Sequence, residues 1–198
     1  MGLVFENTAS QTALDEDEKE GLLVKSITTR YELDEFEQQN IEHAIKWSMH
    51  KLFKVNKILT EKFVCRLHKK MFDQTWKWAG EFRKTNKNIG VDKYRIGIEL
   101  NQLLSDCRYW VANNTYNADE IAIRLKHRIV KIHPFPNGNG RHSRLLADIL
   151  VEHGFGKPPF SWGSHHMACS KTVRKEYLDA LFQADRENYE PLIKFARK

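Results

Sequence analysis

Cysteine is scarce in this sequence: Cys65, Cys107 and Cys169 are the only three in 198 residues, and they show no metal-ligand spacing. A disulfide-stapled scaffold and a cysteine-held zinc are thereby set aside, and reduced thiols in a cytoplasm are expected. No apolar leader and no membrane-length run stands in the chain, so no membrane partner is expected. Repeats and low-complexity segments are absent as well. Histidine is better supplied, at 127, 133, 142, 165 and 166 among others, yet none falls into a His-Glu-x-x-His pairing, and His165-His166 reads as loop surface. The net charge of +6 invites an anionic partner, but it is diffuse, densest at Lys69-Lys70 and from Lys84 to Lys93, as on a solvated face. No helix rich in Arg, Asn and Gln declares itself, which weighs against nucleic acid.

What is present is helical periodicity over a length that suits one domain. Phe36, Ile41, Ile45, Met49 and Leu52 predict one long helix, and Ile58, Val64, Leu67 and Met71 another. Leu100, Leu103, Leu104, Cys107 and Val111 predict a third. Ile121, Leu125, Ile129 and Ile132 predict a largely buried helix running up to His133; Leu145, Leu146, Ile149 and Leu150 mark the next, and Val173, Tyr177, Leu181 and Ala184 a carboxyl-terminal one. The exception is Phe82 to Ile98, which lacks that period and carries Asn86, Asn88 and Gly90 as turn residues. Trp76 and Trp78 read as packing near Gly80.

The densest chemistry lies in His133-Pro134-Phe135-Pro136-Asn137-Gly138-Asn139-Gly140-Arg141-His142-Ser143-Arg144. Pro134 disfavours helical geometry at His133 and ends the helix before it. Gly138 and Gly140 then stand at the start of a new helix, whose free N–H groups and dipole favour a bound phosphate. Arg141 and Arg144, three apart, can grip successive phosphates, and His133, with an ordinary pKa near neutrality, can take a proton from an incoming hydroxyl. Glycine caps, solvated arginines and structural histidines are each common alone. Together they read as a site for a nucleotide's phosphates.

The stretch resembles the signature of the Fic (Fido) family: His133, Pro134, Phe135, Gly138, Asn139, Gly140, Arg141 and Arg144 all match it. With Trp78-Ala79-Gly80-Glu81-Phe82-Arg83 and Asn88-Ile89-Gly90, the chain looks similar to the subfamily called mobile mystery protein B. The resemblance implies an all-α, Fic-type helical bundle with a small β-hairpin flap, here Asn88, Ile89, Gly90, Val91, Asp92, Lys93, Tyr94, Arg95 and Ile96, on which an extended target segment docks. It also implies a transferase that moves AMP from ATP onto a hydroxyl of a target protein, although some relatives transfer phosphate or phosphocholine. By that pattern His133 is the base, and Phe135 supports the loop. Asn139 and the amides of Gly138 and Gly140 hold phosphate oxygens, and Arg141 and Arg144 bind the β and γ groups. Trp162 and Tyr177 are the expected nucleobase neighbours, and self-association is left open.

Two departures from the pattern matter. The family's acidic position, which carries Mg²⁺, is Asn137 here, as is usual in the named subfamily. An amide brings no charge, so weakened Mg²⁺ affinity is expected, with Asp73, Asp92 and Asp148 as alternative carboxylates. The family's inhibitory motif has its nearest echo at Glu20-Gly21, in an extension over 1–34 ahead of a core over 35–198, but Glu16 stands where that motif has Ser or Thr. Glu20 paired with Arg144 would occupy the place of the γ-phosphate; the bland alternative is an acidic, solvated helical turn. Glu187-Asn188 is a fainter echo. The alternative function is a nucleotide-binding regulatory module whose chemistry is weakened at Asn137.

Overall fold

The structure is a computed structural model that describes residues 19–163 and 171–198. The regular elements among them are helices: α1 Arg30–Met49, α2 Val55–Ile58, α3 Glu61–Phe72, α4 Ile96–Asn113, α5 Ala118–Ile132, α6 Asn139–Ile149, α7 Lys171–Asp185 and α8 Glu190–Arg197. A 3-10 turn, Lys93–Arg95, leads into α4, and a π turn, Leu150–Gly154, follows α6. Short polar side chains start three of these helices. Thr29 and Glu32 form a reciprocal capping box on α1, Thr60 caps α3, and Asn117 caps α5. Thr60 is also why the helix expected from Ile58 to Met71 is two: its side chain takes the Phe63 N–H and begins α3 afresh.

α5 is the central element. Ile121, Ala122, Ile123, Leu125, Lys126, His127, Ile129 and Ile132 are all buried, which covers its circumference rather than one stripe. It packs between α4 and α6 and against α8, while α3 joins α1 to α6.

α1 covers the expected helix only as far as Met49, leaving Leu52 outside, and it runs unbroken across the division expected between 34 and 35. Its buried face, however, is only partly the one its apolar spacing marks. Ile41 is buried, but Phe36, Ile45 and Met49 are exposed, and Leu52, beyond the helix, is 94% exposed; Leu33, Glu37, Asn40, Ala44 and Ser48 complete the buried face. The reason is chemical: this face meets polar partners, Asn40 at the Thr75 hydroxyl and Glu37 at the Trp76 indole.

The segment expected as a β-hairpin flap contains no strand. Side chains take the groups that a ladder would have paired. Arg83 donates to the carbonyls of Thr85 and Val91, Asn86 donates to Asp92 at 2.8 Å, and Asn86 Oδ1 accepts the Lys93 N–H at 2.8 Å. The result is a closed loop that runs into the 3-10 turn. Ile96 is wholly buried as the first residue of α4, so it offers no surface to a partner.

Candidate active site

The signature loop is the corner between α5 and α6. His133 ends α5 in the left-handed region, φ +54° and ψ +59°, a costly backbone for a residue with a Cβ. Gly138 opens α6 at φ +77°, and a Cβ there would lie 2.5 Å from the Phe72 ring, so only glycine fits. No side chain caps α6; instead Asn137 Oδ1 accepts the Gly138 N–H at 2.7 Å. The following N–H groups, of Asn139, Gly140 and Arg141, have no carbonyl partner within the helix. At Gly140 a Cβ would meet nothing within 4 Å, leaving open space over the first turn.

The loop is braced from below. Phe135 is wholly buried, stacked on His68 at 3.8 Å between ring centroids and edge-on to His142 at 5.1 Å. Asn139 Nδ2 donates to Phe135 O at 2.8 Å, and its Oδ1 accepts Phe135 N–H at 3.0 Å. Its side chain is therefore spent on the loop, and what Asn139 offers a phosphate is its main-chain N–H. His68 Nδ1 accepts the Gly80 N–H at 3.0 Å, which fixes the hydrogen on Nε2, and Nε2 donates to Asn137 O at 3.0 Å. Burial holds His68 well below its ordinary pKa and pushes His142 down to about 4.

His133 is 4% exposed, and burial, reinforced by the Arg83 and Lys87 charges, pushes its pKa down to about 4 against a hydrogen bond to Val130 that pulls the other way. It is thus neutral near pH 7, the form a general base requires.

The two arginines have different company. Arg141 Nη2 meets Glu37 Oε2 at 2.6 Å, a charge contact rather than an aligned hydrogen bond, and its guanidinium lies 5.2 Å from the Phe72 ring centroid. Glu37 Oε1 accepts the Trp76 indole N–H at 2.6 Å and lies 3.5 Å from Asn137 Nδ2. Arg144 sits 5.6 Å from the Tyr177 ring centroid, and Tyr177 Oη accepts from the buried Lys126 Nζ at 2.6 Å.

Other expectations fare unevenly. Asp148 accepts from the Trp162 indole and the Phe160 N–H, with its pKa pushed up to about 6 by burial; Asp92 accepts from Asn86 and Tyr94; Asp73 ends α3. Trp162 is buried with its N–H committed to Asp148, so it belongs to the core rather than to a nucleobase. Trp76 and Trp78 stack at 4.8 Å. Glu20 is exposed, its main-chain oxygen accepting from Lys25 Nζ at 3.5 Å. Asn88, Ile89, Gly90, Asp92, Tyr94 and Arg95 are exposed beside the corner, with Val91 and Lys93 half-buried. His165, His166 and Cys169 lie outside the described residues. Glu37, His68 and Arg83 are the site residues that the sequence reading did not single out.

The Fic/DOC family model matches residues 58–151, which contain α3 to α6 and the whole corner. The chain carries a Fic/DOC domain. Among curated proteins, the chain is similar to "Protein adenylyltransferase Fic" of Aedes aegypti, 26% identical over 159 residues that cover 78% of this chain and 30% of that protein. The protein of the same name from Culex quinquefasciatus is 28% identical over 159 residues with the same coverage. The chain thus spans less than a third of the length of these relatives. Among solved structures, the Fic fold recurs in the VirB-translocated effector BepC of Bartonella tribocorum, determined with bound AMPPNP. There the TM-score is 0.65 at 17% identity, covering 92% of this chain and 97% of that one. It recurs again in a Fic-domain signaling protein of Bacteroides thetaiotaomicron, TM-score 0.61 at 19% identity, covering 92% of this chain and 76% of that one. No helix among the described residues is long and apolar enough to cross a membrane.

Proposed function

We propose that this Fic/DOC domain is a protein nucleotidylyltransferase that moves AMP from ATP onto a Ser, Thr or Tyr hydroxyl of a target protein. The observation that carries the reading is one corner holding both a neutral histidine and an uncapped helix N-terminus with open space above Gly140. His133 takes the acceptor's hydroxyl proton on an imidazole nitrogen as the hydroxyl oxygen attacks the α-phosphorus. The bond from α-phosphorus to the bridging oxygen breaks, and its electron pair leaves with pyrophosphate. The N–H groups of Asn139, Gly140 and Arg141 receive phosphate oxygens, while the Arg141 and Arg144 guanidiniums carry the β and γ charges. Fixed donors of this kind contribute roughly 10²–10³ in rate each. The names of the curated relatives support AMP as the transferred group. The acceptor segment meets the exposed loop Asn88–Asp92 with Tyr94 and Arg95. Kinship with the mobile mystery protein B subfamily, and a toxin or regulatory role in a bacterial cytoplasm, belong to the same proposal.

Mg²⁺ fits this chain poorly. Asn137 Oδ1 already accepts the Gly138 N–H, and both Glu37 oxygens have partners in Trp76 and Arg141. Metal dependence is accordingly weakened.

The second reading, a regulatory module that binds nucleotide without transferring it, is favoured by Glu37 already occupying Arg141. Carboxylate control of the site then has two candidates, Glu37 on Arg141 and Glu20 acting on Arg144 from ahead of α1. Intact-mass spectrometry decides between the readings: the wild type, Glu20→Gly and Glu37→Gln are each incubated with ATP and the other common nucleotides, beside His133→Ala. A gain of one nucleoside monophosphate that the alanine variant lacks establishes transfer and names the donor. Nucleotide binding without any gain turns the reading to the module. A larger gain in Glu20→Gly than in wild type upholds the Glu20 restraint, and an unchanged gain removes it.

A further inference from the structure

Arg83 is 3% exposed, yet its guanidinium is spent on main-chain carbonyls rather than on display to a ligand. Nε donates to His133 O at 2.7 Å, Nη1 to Thr85 O at 2.7 Å with Asn86 Oδ1 at 3.5 Å, and Nη2 to Val91 O. Its own N–H donates to Pro134 O at 2.9 Å, and Val91 N–H to Ile132 O at 3.3 Å. One planar cation therefore grips both limbs of the exposed loop and the carbonyl of the residue that turns the corner. That carbonyl belongs to His133, whose left-handed backbone needs external support to persist. The loop also presses on the base directly: a Cβ on Gly90 would lie 2.7 Å from His133 Cβ and 2.9 Å from Arg83 Nη2.

We infer that Arg83 is a positioning residue which locks the His133 imidazole in its strained corner and ties it rigidly to the loop that receives the acceptor segment. The inference deepens the proposed transferase reading and rests on it for the role of His133. Only arginine suits the task, because three donor directions in one plane reach three carbonyls at once, whereas a lysine ammonium is a compact point charge that cannot span them. A displaced base loses rate without losing nucleotide, since the phosphate cradle belongs to α6 and is held by His68 and Asn139 rather than by Arg83.

The test compares Arg83→Lys, Arg83→Met and Gly90→Ala with wild type. Gly90→Ala approaches the same contact from the other side and leaves Arg83 in place, so it serves if the arginine variants do not fold. Three quantities are read on folded protein: ATP affinity by calorimetry, self-modification rate by intact mass, and the His133 titration by NMR of histidine-labelled protein. The charged groups facing His133 are Arg83 and Lys87. The expected result is ATP affinity within about twofold, a rate lower by about 100-fold, and a changed His133 titration, moved up from about 4 toward 6.5 in Arg83→Met. If wild type modifies nothing, the transferase reading has failed separately, and affinity and titration still judge the geometry. Unchanged His133 titration and rate in folded variants overturn the inference, as does a loss of ATP affinity that parallels the loss of rate.

Discussion

Glu37 places a wholly buried carboxylate oxygen 2.6 Å from Arg141, whose side chain is 32% exposed. The contact joins α1 to the first signature arginine and sets a negative charge where a phosphate would bind. Replacing the acid with its neutral isostere frees Arg141 while the amide oxygen can still accept from Trp76. Glu37→Gln is therefore expected to tighten ATP binding by about five- to tenfold, or roughly 1 kcal/mol. It should also cost about 1–2 kcal/mol of stability, less than the about 3–5 of breaking a fully buried pair, because Arg141 can rehydrate. Calorimetry and chemical denaturation read the two numbers, and weaker ATP binding would show that Glu37 aims Arg141 instead of occupying it.

The glycines of the signature separate fold from function. Gly138→Ala forces a left-handed backbone on alanine and drives its Cβ into Phe72, so a loss of about 2–4 kcal/mol is expected. Gly140 lies in ordinary helix with nothing near its missing Cβ, so Gly140→Ala should gain about 0.5–1 kcal/mol of stability. If phosphate enters that space, the same methyl must lower nucleotide affinity. Thermal melts with and without ATP distinguish the two effects: a variant that is more stable yet poorly shifted by ATP supports the cradle.

Acid should weaken the fold before it silences the base. His133 and His142 are held at about 4, and His68 well below 6.5, chiefly by burial. Each binds fewer protons folded than unfolded, so its stability contribution is complete above about 6.5 and is lost as pH falls toward about 4. Asp148, raised to about 6 from 3.8, has the opposite sign: its burial penalty acts above about 6 and fades below it. With more histidines than acids in play, the melting temperature is expected to drop between pH 7 and pH 5. Transfer rate, measured where circular dichroism shows an intact fold, should hold to near pH 5, because His133 stays neutral there. A rate that halves at pH 6.5 would mean a base with an ordinary pKa.

The corner itself was legible because its chemistry is local: His133, Gly138, Gly140, Arg141 and Arg144 lie within twelve residues and carry their geometry in a proline, two glycines and a helix start. The buried face of α1 was not. Apolar spacing marks Phe36, Ile41, Ile45 and Met49, of which only Ile41 is inside; Leu33, Glu37, Asn40, Ala44 and Ser48 also recur at helical spacing and make up the rest of the buried face. A hydrophobic pattern cannot show a face that is polar because it serves the site. Arg83 and His68 escaped for a related reason, since the contacts that tie them to the corner are to main-chain atoms 50 and 69 residues away, which leave no mark in the sequence. The family resemblance implies a hairpin flap over 88–96; the turn residues Asn86, Asn88 and Gly90 mark a reversal without saying whether main chain or side chains will close it.

Asn137 and Glu37 should be tested together, because 3.5 Å separates the amide nitrogen of one from the carboxylate of the other. Asn137→Asp alone restores the acidic residue of the family pattern but sets it against Glu37, and two like charges at that distance disfavour each other. The single variant is therefore expected to lose stability, and its new carboxylate to compete for Arg141 before it serves a metal. Adding Glu37→Gln removes the repulsion and leaves the new carboxylate free toward the cradle. The double variant should bind Mn²⁺ or Mg²⁺ in the presence of ADP more tightly than either single variant, with a coupling of about 1–2 kcal/mol between the sites. Titration of Mn²⁺ by electron paramagnetic resonance measures this without requiring turnover. Additive effects of the two substitutions would mean that Glu37 and position 137 do not share one anionic site.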